Sequence, residues 1–253
     1  MTQTIGVLLM AYGGPSSLED LPGYLADIRT GRPTSKVVVD ELTRNYAAIG
    51  GRSPINRHTS KQAAAVATIL SRLQHTAPSP VSYKVYTGMR HWSPWIEETV
   101  GQMLDDGIER AVSLVLAPHY SQMSIAGYQQ RIADGLHSYR GHIDFAHVDS
   151  YYDAPGLIGP LAKRVLEGIG KWPESVRDAV HVVFSAHSLP QRIIDAGDPY
   201  DTQVRETARL VAEQAGIPEG RWSWSYQSAG RSPEPWLGPT LEDYLVSLAD
   251  AGI

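Results

Sequence analysis

The chain has 253 residues, of which 42% are hydrophobic and 19% charged, a composition typical of a globular protein with a substantial core. Its formal net charge of -5 gives no overall basic field of the kind that attracts nucleic acid, so we expect no nucleic-acid partner. The absence of Cys excludes disulfides, iron–sulfur clusters and thiolate zinc sites.

The N-terminal residues, MTQTIGVLLMAYGGP, contain a short apolar run without the basic leader or cleavage site of a secretory signal. No stretch of the chain approaches the ~20 apolar residues of a membrane-spanning helix. We therefore expect a cytoplasmic protein with no membrane span.

The predicted elements alternate between short apolar runs and helical patterns. The runs are nearly continuous in Val, Leu and Ile, which is typical of strands buried on both faces of a parallel sheet. Because the intervening segments are long enough for crossover helices, the pattern predicts an α/β fold. The six predicted strands are Ile5–Met10, Tyr83–Gly88, Ala111–Leu116, Ile143–Val148, Val180–Phe184 and Trp222–Tyr226.

The stretch YYDAPG at 151–156 interrupts this alternation with Asp, Pro and Gly, as a linker between two sheet units does. It divides the chain into an N-terminal unit, 1–150, and a C-terminal unit, 151–253. The segments GVLLMAYGGP and HVVFSAHSLP are alike in form, each with an apolar strand, Ala, a side chain able to bind a ligand, and a turn with proline. This likeness suggests a duplicated structural unit.

Ring-bearing side chains follow three of the predicted strands: Tyr12, His119 and His187. Ligands of an open parallel sheet bind beyond the carboxyl ends of its strands, so these residues form a candidate site. The alternative is that each ring is a partly buried strand-end side chain with a backbone hydrogen bond. The sequence leaves both interpretations open.

Two arginines, Arg29 and Arg32, lie in DIRTGRP at the end of a predicted helix. Cations complement the helix dipole there, and arginine also pairs with the carboxylates of an acidic ligand.

Two other chemistries have little support in the sequence. AYGGP lacks the spacing and the lysine of a nucleotide-binding loop, and SAHSLP does not match the nucleophile elbow of a hydrolase.

Taken in order, these motifs resemble the ferrochelatase family, and in particular the coproporphyrin III type of bacteria. The resemblance covers essentially the whole chain. It is carried by the segments LLMAYGGP, IRTGRP, YAAIGGRSPI, GMRHWSPWIEE, VLAPHYS, SIAGYQQR, VVFSAHSLP, GDPYDTQVRETARLVAE and YQSAGRSPEPWLGP.

The resemblance implies a chelatase-like fold of two Rossmann-like units and an enzyme that inserts Fe²⁺ into coproporphyrin III. It implies no cofactor beyond the substrate Fe²⁺. His187 matches the family's metal-site histidine, and this residue is the expected catalytic and metal-binding group. A neutral imidazole suits both iron ligation and the removal of pyrrole protons, so ligand and base remain alternatives.

Five further residues match porphyrin contacts of the family: Tyr12, Arg29, Tyr46, Ser53 and Tyr128. The tyrosine that Tyr12 matches can approach the metal from the face of the ring opposite the histidine. Arg29 matches an arginine that meets the porphyrin propionates. Where the family often has Arg directly before the residue matched by Tyr46, this chain has Asn45.

The family continues beyond WLGPTLEDYL with one more strand, which carries the acidic partner of the metal-site histidine. The present sequence ends at SLADAGI, so an incomplete second unit with an open strand edge is expected. We therefore expect weak or no chelatase activity from the 253-residue chain and full activity from a longer form.

Two alternatives remain open. One is a cobalt or nickel chelatase that acts on sirohydrochlorin, although GGRSP and PWLGP favour the iron family. The other is a non-catalytic porphyrin-binding remnant that retains the porphyrin-contacting segments without a complete metal centre. In each case we expect a monomer whose partners are a tetrapyrrole and a metal ion.

Overall fold

The computed structural model describes residues 3–74, 81–230 and 232–253. The chain forms two compact units. The first comprises Met1–Ala117 and Met123–Asp149, and the second comprises Pro118–Gln122 and Ser150–Ile253. Within the described ranges, no helix is both long enough and apolar enough to cross a membrane.

The first unit contains a four-stranded parallel sheet with the order β2-β1-β3-β4. Five helices connect and cover these strands. The elements are β1 (Gln3–Ala11), α1 (Leu21–Ile28), α2 (Lys36–Ala48), α3 (Ile55–Leu73), β2 (Val81–Met89), α4 (Ile96–Asp105), β3 (Arg110–Val115), α5 (Ile125–Ser138) and β4 (Asp144–Val148).

Strand β1 is central because it pairs with β2 on one side and β3 on the other. Its apolar run Val7–Ala11 is buried, as expected for a strand covered on both faces. Helix α4 lies close to β2, since a Cβ at Gly88 would stand 3.1 Å from the backbone Cα of Ile96. Glycine at this position is therefore what allows α4 to pack tightly on the sheet.

The second unit has a smaller parallel sheet of two strands, in which Val182 lies opposite Trp222 and His187 opposite Gln227. Helices α6 and α9 supply the apolar residues Ile158, Ala162 and Val211 that form a core cluster with Phe184 of β5. The elements are α6 (Pro155–Ile169), α7 (Glu174–Arg177), β5 (Val182–His187), α8 (Gln191–Asp195), α9 (Tyr200–Gln214), β6 (Trp222–Gln227) and α10 (Leu241–Asp250).

The edge of β5 opposite β6 pairs with no other strand in the ranges that the structure describes. The side chains of Val182–Ala186 are only partly buried, and α10 has no fully buried residue. Leu245 and Val246 of α10 are 49% and 61% exposed. This unit therefore presents an open strand edge beside exposed apolar side chains.

The segment Pro118–Gln122 belongs with the second unit, whereas a division at residue 150 assigns it to the first. The backbone N–H of Tyr120 donates to Oε1 of Gln203 at 2.7 Å. Asp198 accepts through Oδ2 from Ser121 Oγ at 3.0 Å and from the backbone N–H of Gln122 at 2.7 Å. These hydrogen bonds hold the segment against the beginning of α9.

The predicted α/β fold class with parallel sheets is confirmed. All six predicted strands are present, and they form two parallel sheets in an α/β chain. Strand ends differ from the predicted ones by at most a few residues: β5, for example, extends to His187 rather than ending at Phe184. The apolar run ends at Phe184, but the parallel pairing with β6 continues to His187.

Replacement of Asp198 by Ala should destabilise the second unit by about 2–4 kcal/mol, because three donors lose a buried acceptor. The third donor is the backbone N–H of Tyr200, 3.0 Å from Oδ1. Chemical denaturation would measure the change. Asp195→Ala is the matched control, since this exposed carboxylate accepts a hydrogen bond from the side chain of Gln191 within the same short helix. Equal stability of the two variants would contradict this account.

Candidate functional site

Tyr12 directly follows β1 and is 42% exposed. Its ring packs against the imidazole of His91, with the ring centroids 4.5 Å apart. The backbone N–H of His91 donates to the carbonyl of Tyr12 at 2.9 Å, and that of Arg90 donates to the carbonyl of Ala11 at 2.9 Å. The chain after β2 is thereby held beside the chain after β1.

His91 is buried and hydrogen-bonded to α1. Its Nδ1 lies 2.7 Å from Oδ2 of Asp27. Burial lowers the pKa of the His91 imidazole, and the hydrogen bond with Asp27 offsets part of this lowering. Arg131 stands on the far side of Asp27, with Nη2 3.9 Å from Oδ1, and it also bonds Glu97 at 2.7 Å.

Three more tyrosines surround this pair. The phenols of Tyr24 and Tyr46 lie near each other and near the phenol of Tyr12. The Arg90 guanidinium lies over the Tyr128 ring, 5.3 Å from its centroid. Burial raises the pKa of Tyr12, Tyr24 and Tyr128, so these phenols stay protonated at neutral pH and can donate hydrogen bonds.

Arg29 follows the last residue of α1, where it is exposed. Ser53 borders a pocket of about 430 Å³ that is also lined by Ser16, Arg52 and Arg57. None of these three arginines has a carboxylate partner in the described part of the chain. Their guanidinium groups are therefore available to an anionic ligand.

The approach of Ser53 to the turn after β1 requires glycine. A Cβ at Gly14 would lie 2.5 Å from Cβ and Oγ of Ser53, which no side chain tolerates. The backbone N–H of Ser53 donates to the carbonyl of Pro15 at 2.8 Å. Gly14 of AYGGP thus allows close packing between the turn after β1 and the loop that carries Ser53.

In the second unit, His187 is the last residue of β5, and its side chain is exposed. The turn that follows is tied to the PWLGP loop. Ser188 Oγ donates to the carbonyl of Leu237 at 2.8 Å, and the Leu237 N–H donates to the carbonyl of Leu189 at 2.9 Å. The Tyr200 hydroxyl donates to the carbonyl of His187 itself at 3.0 Å. This imidazole therefore projects from a fixed backbone.

His119 differs from His187, because its ring is largely occupied by structural contacts. Its Nε2 lies 2.9 Å from Oγ1 of Thr207. The Thr207 hydroxyl itself donates to the backbone carbonyl of Tyr152 at 2.8 Å. Thr207 therefore accepts from His119, so the ring carries its proton on Nε2. Burial lowers the pKa of His119 to about 4. These contacts favour the interpretation of His119 as a partly buried strand-end ring.

The structure brings Tyr12, Tyr46 and Tyr128 into one cluster in the first unit, and the sequence analysis missed four of their neighbours. These neighbours are Tyr24, Asp27, Arg90 and His91. The strand-end rule could have found Arg90 and His91, because GMRHWSP directly follows β2. Among the residues that the structure describes, no group of three or more His, Asp or Glu side chains could hold a metal ion.

The chain is an α/β protein in which Tyr12 and His187 stand at the carboxyl ends of parallel strands. The other candidate tyrosines and arginines lie on helices and loops of the first unit. A family model described as Ferrochelatase matches residues 4–253. A protein named Ferrochelatase from Deinococcus radiodurans is 56% identical over 249 residues, which cover 98% of this chain and 77% of that protein. The chain belongs to the ferrochelatase family.

Other relatives carry a narrower name. A Coproporphyrin III ferrochelatase from Geobacillus kaustophilus is 40% identical over 241 residues, which cover 95% of this chain and 74% of that protein. A Ferrochelatase from Thermus thermophilus is 41% identical over 259 residues, with 98% and 80% coverage. The resemblance found in the sequence is thus confirmed at the level of the family.

The lowered pKa of the partly buried His119 imidazole should make folding stability depend on pH. Between about pH 6.5 and 4 the unfolded chain binds a proton that the folded chain excludes, so stability falls as the pH falls. His119→Gln should remove on the order of 2 kcal/mol of this pH dependence. Urea denaturation between pH 4.5 and 7 is the measurement, and the exposed His137→Gln serves as control. An unchanged pH dependence in His119→Gln would refute the assignment.

Proposed function

We propose that the protein inserts Fe²⁺ into coproporphyrin III. The reaction replaces two pyrrole N–H protons by one Fe²⁺ ion, so the site must bind an anionic macrocycle and dispose of two protons. The observation that carries the proposal is the set of unpaired arginines, Arg29, Arg52 and Arg57, in the unit that also presents Tyr12. Coproporphyrin has four propionates, and arginine binds carboxylates in a bidentate way.

The first unit would bind the porphyrin through three kinds of contact. Exposed guanidinium groups would pair with the propionates, the Ser53 hydroxyl would hydrogen-bond one of them, and the Tyr12 phenol would face the macrocycle. The protonated phenols of this unit donate hydrogen bonds without adding negative charge. Tyr46 and Tyr128 would support Tyr12 from the side, and Tyr128 is itself buried.

His187 would supply the nitrogen group for the metallation step. Its exposed imidazole either binds Fe²⁺ before transfer or accepts a pyrrole proton. In both roles the hydrogen bonds around Ser188 and Leu237 matter, because they fix the backbone from which the ring projects. We place this reaction in the cytoplasm and assign it to a monomer.

His187→Ala should reduce iron insertion by roughly 10²-fold or more while coproporphyrin affinity stays within about threefold. The assay mixes protein, coproporphyrin III and Fe²⁺ without oxygen and follows the absorption spectrum. His181→Ala is the control in the same unit, since His181 bonds Ser223 at the opposite end of β5. Coproporphyrin binding without metallation by the unaltered chain would support the remnant alternative, and metallation of sirohydrochlorin instead would support the cobalt or nickel chelatase.

The unpaired arginines should set the preference for a porphyrin with four carboxylates. Arg52→Ala and Arg57→Ala should each raise KM for coproporphyrin III roughly fivefold, because each exposed ion pair contributes about 1 kcal/mol. Protoporphyrin IX, with two carboxylates, should respond less. Arg72→Ala, an exposed change in α3, is the control. Equal responses of the two porphyrins would argue against propionate recognition by these arginines.

A further inference from the structure

Asp27 connects the end of α1 to the segment after β2. Its Oδ2 lies 2.7 Å from Nδ1 of His91, and its Oδ1 is 3.9 Å from Nη2 of Arg131. His91 is 64 residues away in sequence, so this is a tertiary contact. Arg29, two residues beyond Asp27, follows the end of the same helix. The Asp27–His91 hydrogen bond thus joins α1, the helix that precedes Arg29, to the imidazole that packs against Tyr12.

His91 contacts Tyr12 in two ways. Its backbone N–H donates to the Tyr12 carbonyl at 2.9 Å, and its ring lies 4.5 Å from the Tyr12 ring. The Tyr12 side chain is 42% exposed, and its hydroxyl has no hydrogen-bond partner among the described residues. The direction of this phenol therefore depends on the packing of the ring against His91.

Asp27 also determines which nitrogen of His91 carries the proton. A carboxylate accepts hydrogen bonds, so Nδ1 is the protonated nitrogen and Nε2 keeps its lone pair when the ring is neutral. The bond fixes the rotation of the imidazole as well as its tautomer, as carboxylate partners of functional histidines commonly do.

We propose that Asp27 and His91 are positioning residues for Tyr12, and that they couple the Arg29 end of α1 to the direction of the Tyr12 phenol. The inference rests on the proposed function, in which Tyr12 faces the porphyrin and Arg29 binds a propionate. A propionate held by Arg29 would steady the end of α1, and the Asp27–His91 bond would transmit that order to Tyr12. The pair acts on the placement of the macrocycle for metallation and contributes little to its affinity.

The kinetic test uses variants that separate the hydrogen bond from the charge. Asp27→Ala removes the acceptor and should lower kcat for iron insertion roughly 10–100-fold, with KM for coproporphyrin III within about threefold. Asp27→Asn keeps an acceptor oxygen for Nδ1–H and should recover most of kcat. Asp106→Asn is the matched control, because this carboxylate bonds Lys84 and Tyr86 in the same unit and does not contact Tyr12.

Two further variants separate the imidazole ring from its hydrogen bond. His91→Asn can still donate to Asp27 but loses the ring against Tyr12, and its kcat should fall as in Asp27→Ala. His91→Phe keeps a ring but cannot bond Asp27, and its kcat should lie between that of Asp27→Ala and that of the unaltered protein. A rise in KM at constant kcat, or equal losses in Asp27→Ala and Asp27→Asn, would overturn the positioning role.

A second measurement keeps this inference separate from the proposed function. In protein labelled with ¹³C at the tyrosine Cζ, the Tyr12 resonance should shift in Asp27→Ala and stay in place in Asp106→Asn. If neither this chain nor a longer form of the protein inserts iron, the proposed function fails, and the NMR comparison still decides whether Asp27 and His91 position Tyr12. An unmoved Tyr12 resonance in a folded Asp27→Ala protein would overturn the inference.

Discussion

The parallel pairing of β1 with its two neighbours is the constraint on which the first unit depends. Ala11 lies opposite Met89 of β2, so both strands end at the same edge of the sheet. The ladder continues past the strands, because the N–H of His91 donates to the Tyr12 carbonyl. A shift of one residue in this register would turn either Tyr12 or His91 away from the other. The aromatic and polar cluster is thus a consequence of strand pairing.

In the second unit a candidate side chain also stands at the end of a paired strand, but different hydrogen bonds hold the turn that follows. His187 ends β5 opposite Gln227 of β6, and the Ser188 N–H donates to the Gln227 carbonyl. The hydrogen bond from the Leu237 N–H to the Leu189 carbonyl, together with that from Ser188 Oγ to the Leu237 carbonyl, then joins the turn to the PWLGP loop. These bonds involve backbone groups and one buried hydroxyl, so they constrain the chain without occupying the imidazole. An exposed histidine on a rigid turn is free to bind a ligand, whereas His119 is committed to Thr207.

The sequence predicted the parts that depend on local patterns and missed those that depend on distant contacts. Apolar runs identified all six strands, and the strand-end rule identified Tyr12 and His187 as candidates. Arg90 and His91 also follow a strand, β2, and so lie where the strand-end rule places ligand-binding side chains. Asp27 has no sequence signal at all, since its partner is 64 residues away. Spacing along a chain cannot reveal a pair that only the folded helix and sheet bring together.

The balance of charge explains why the first unit suits an anionic ligand. Burial raises the pKa of Tyr12, Tyr24 and Tyr128, so these phenols stay protonated at neutral pH, and burial lowers the pKa of the His91 imidazole. The nearby carboxylates of Asp27 and Glu97 are bound to His91 and Arg131. They therefore do not compete for the exposed guanidinium groups on the loops after α1 and α2. Because these two acids are paired internally, Arg29, Arg52 and Arg57 can meet an anionic ligand without competition from them, and a polycarboxylate such as coproporphyrin would complement these arginines.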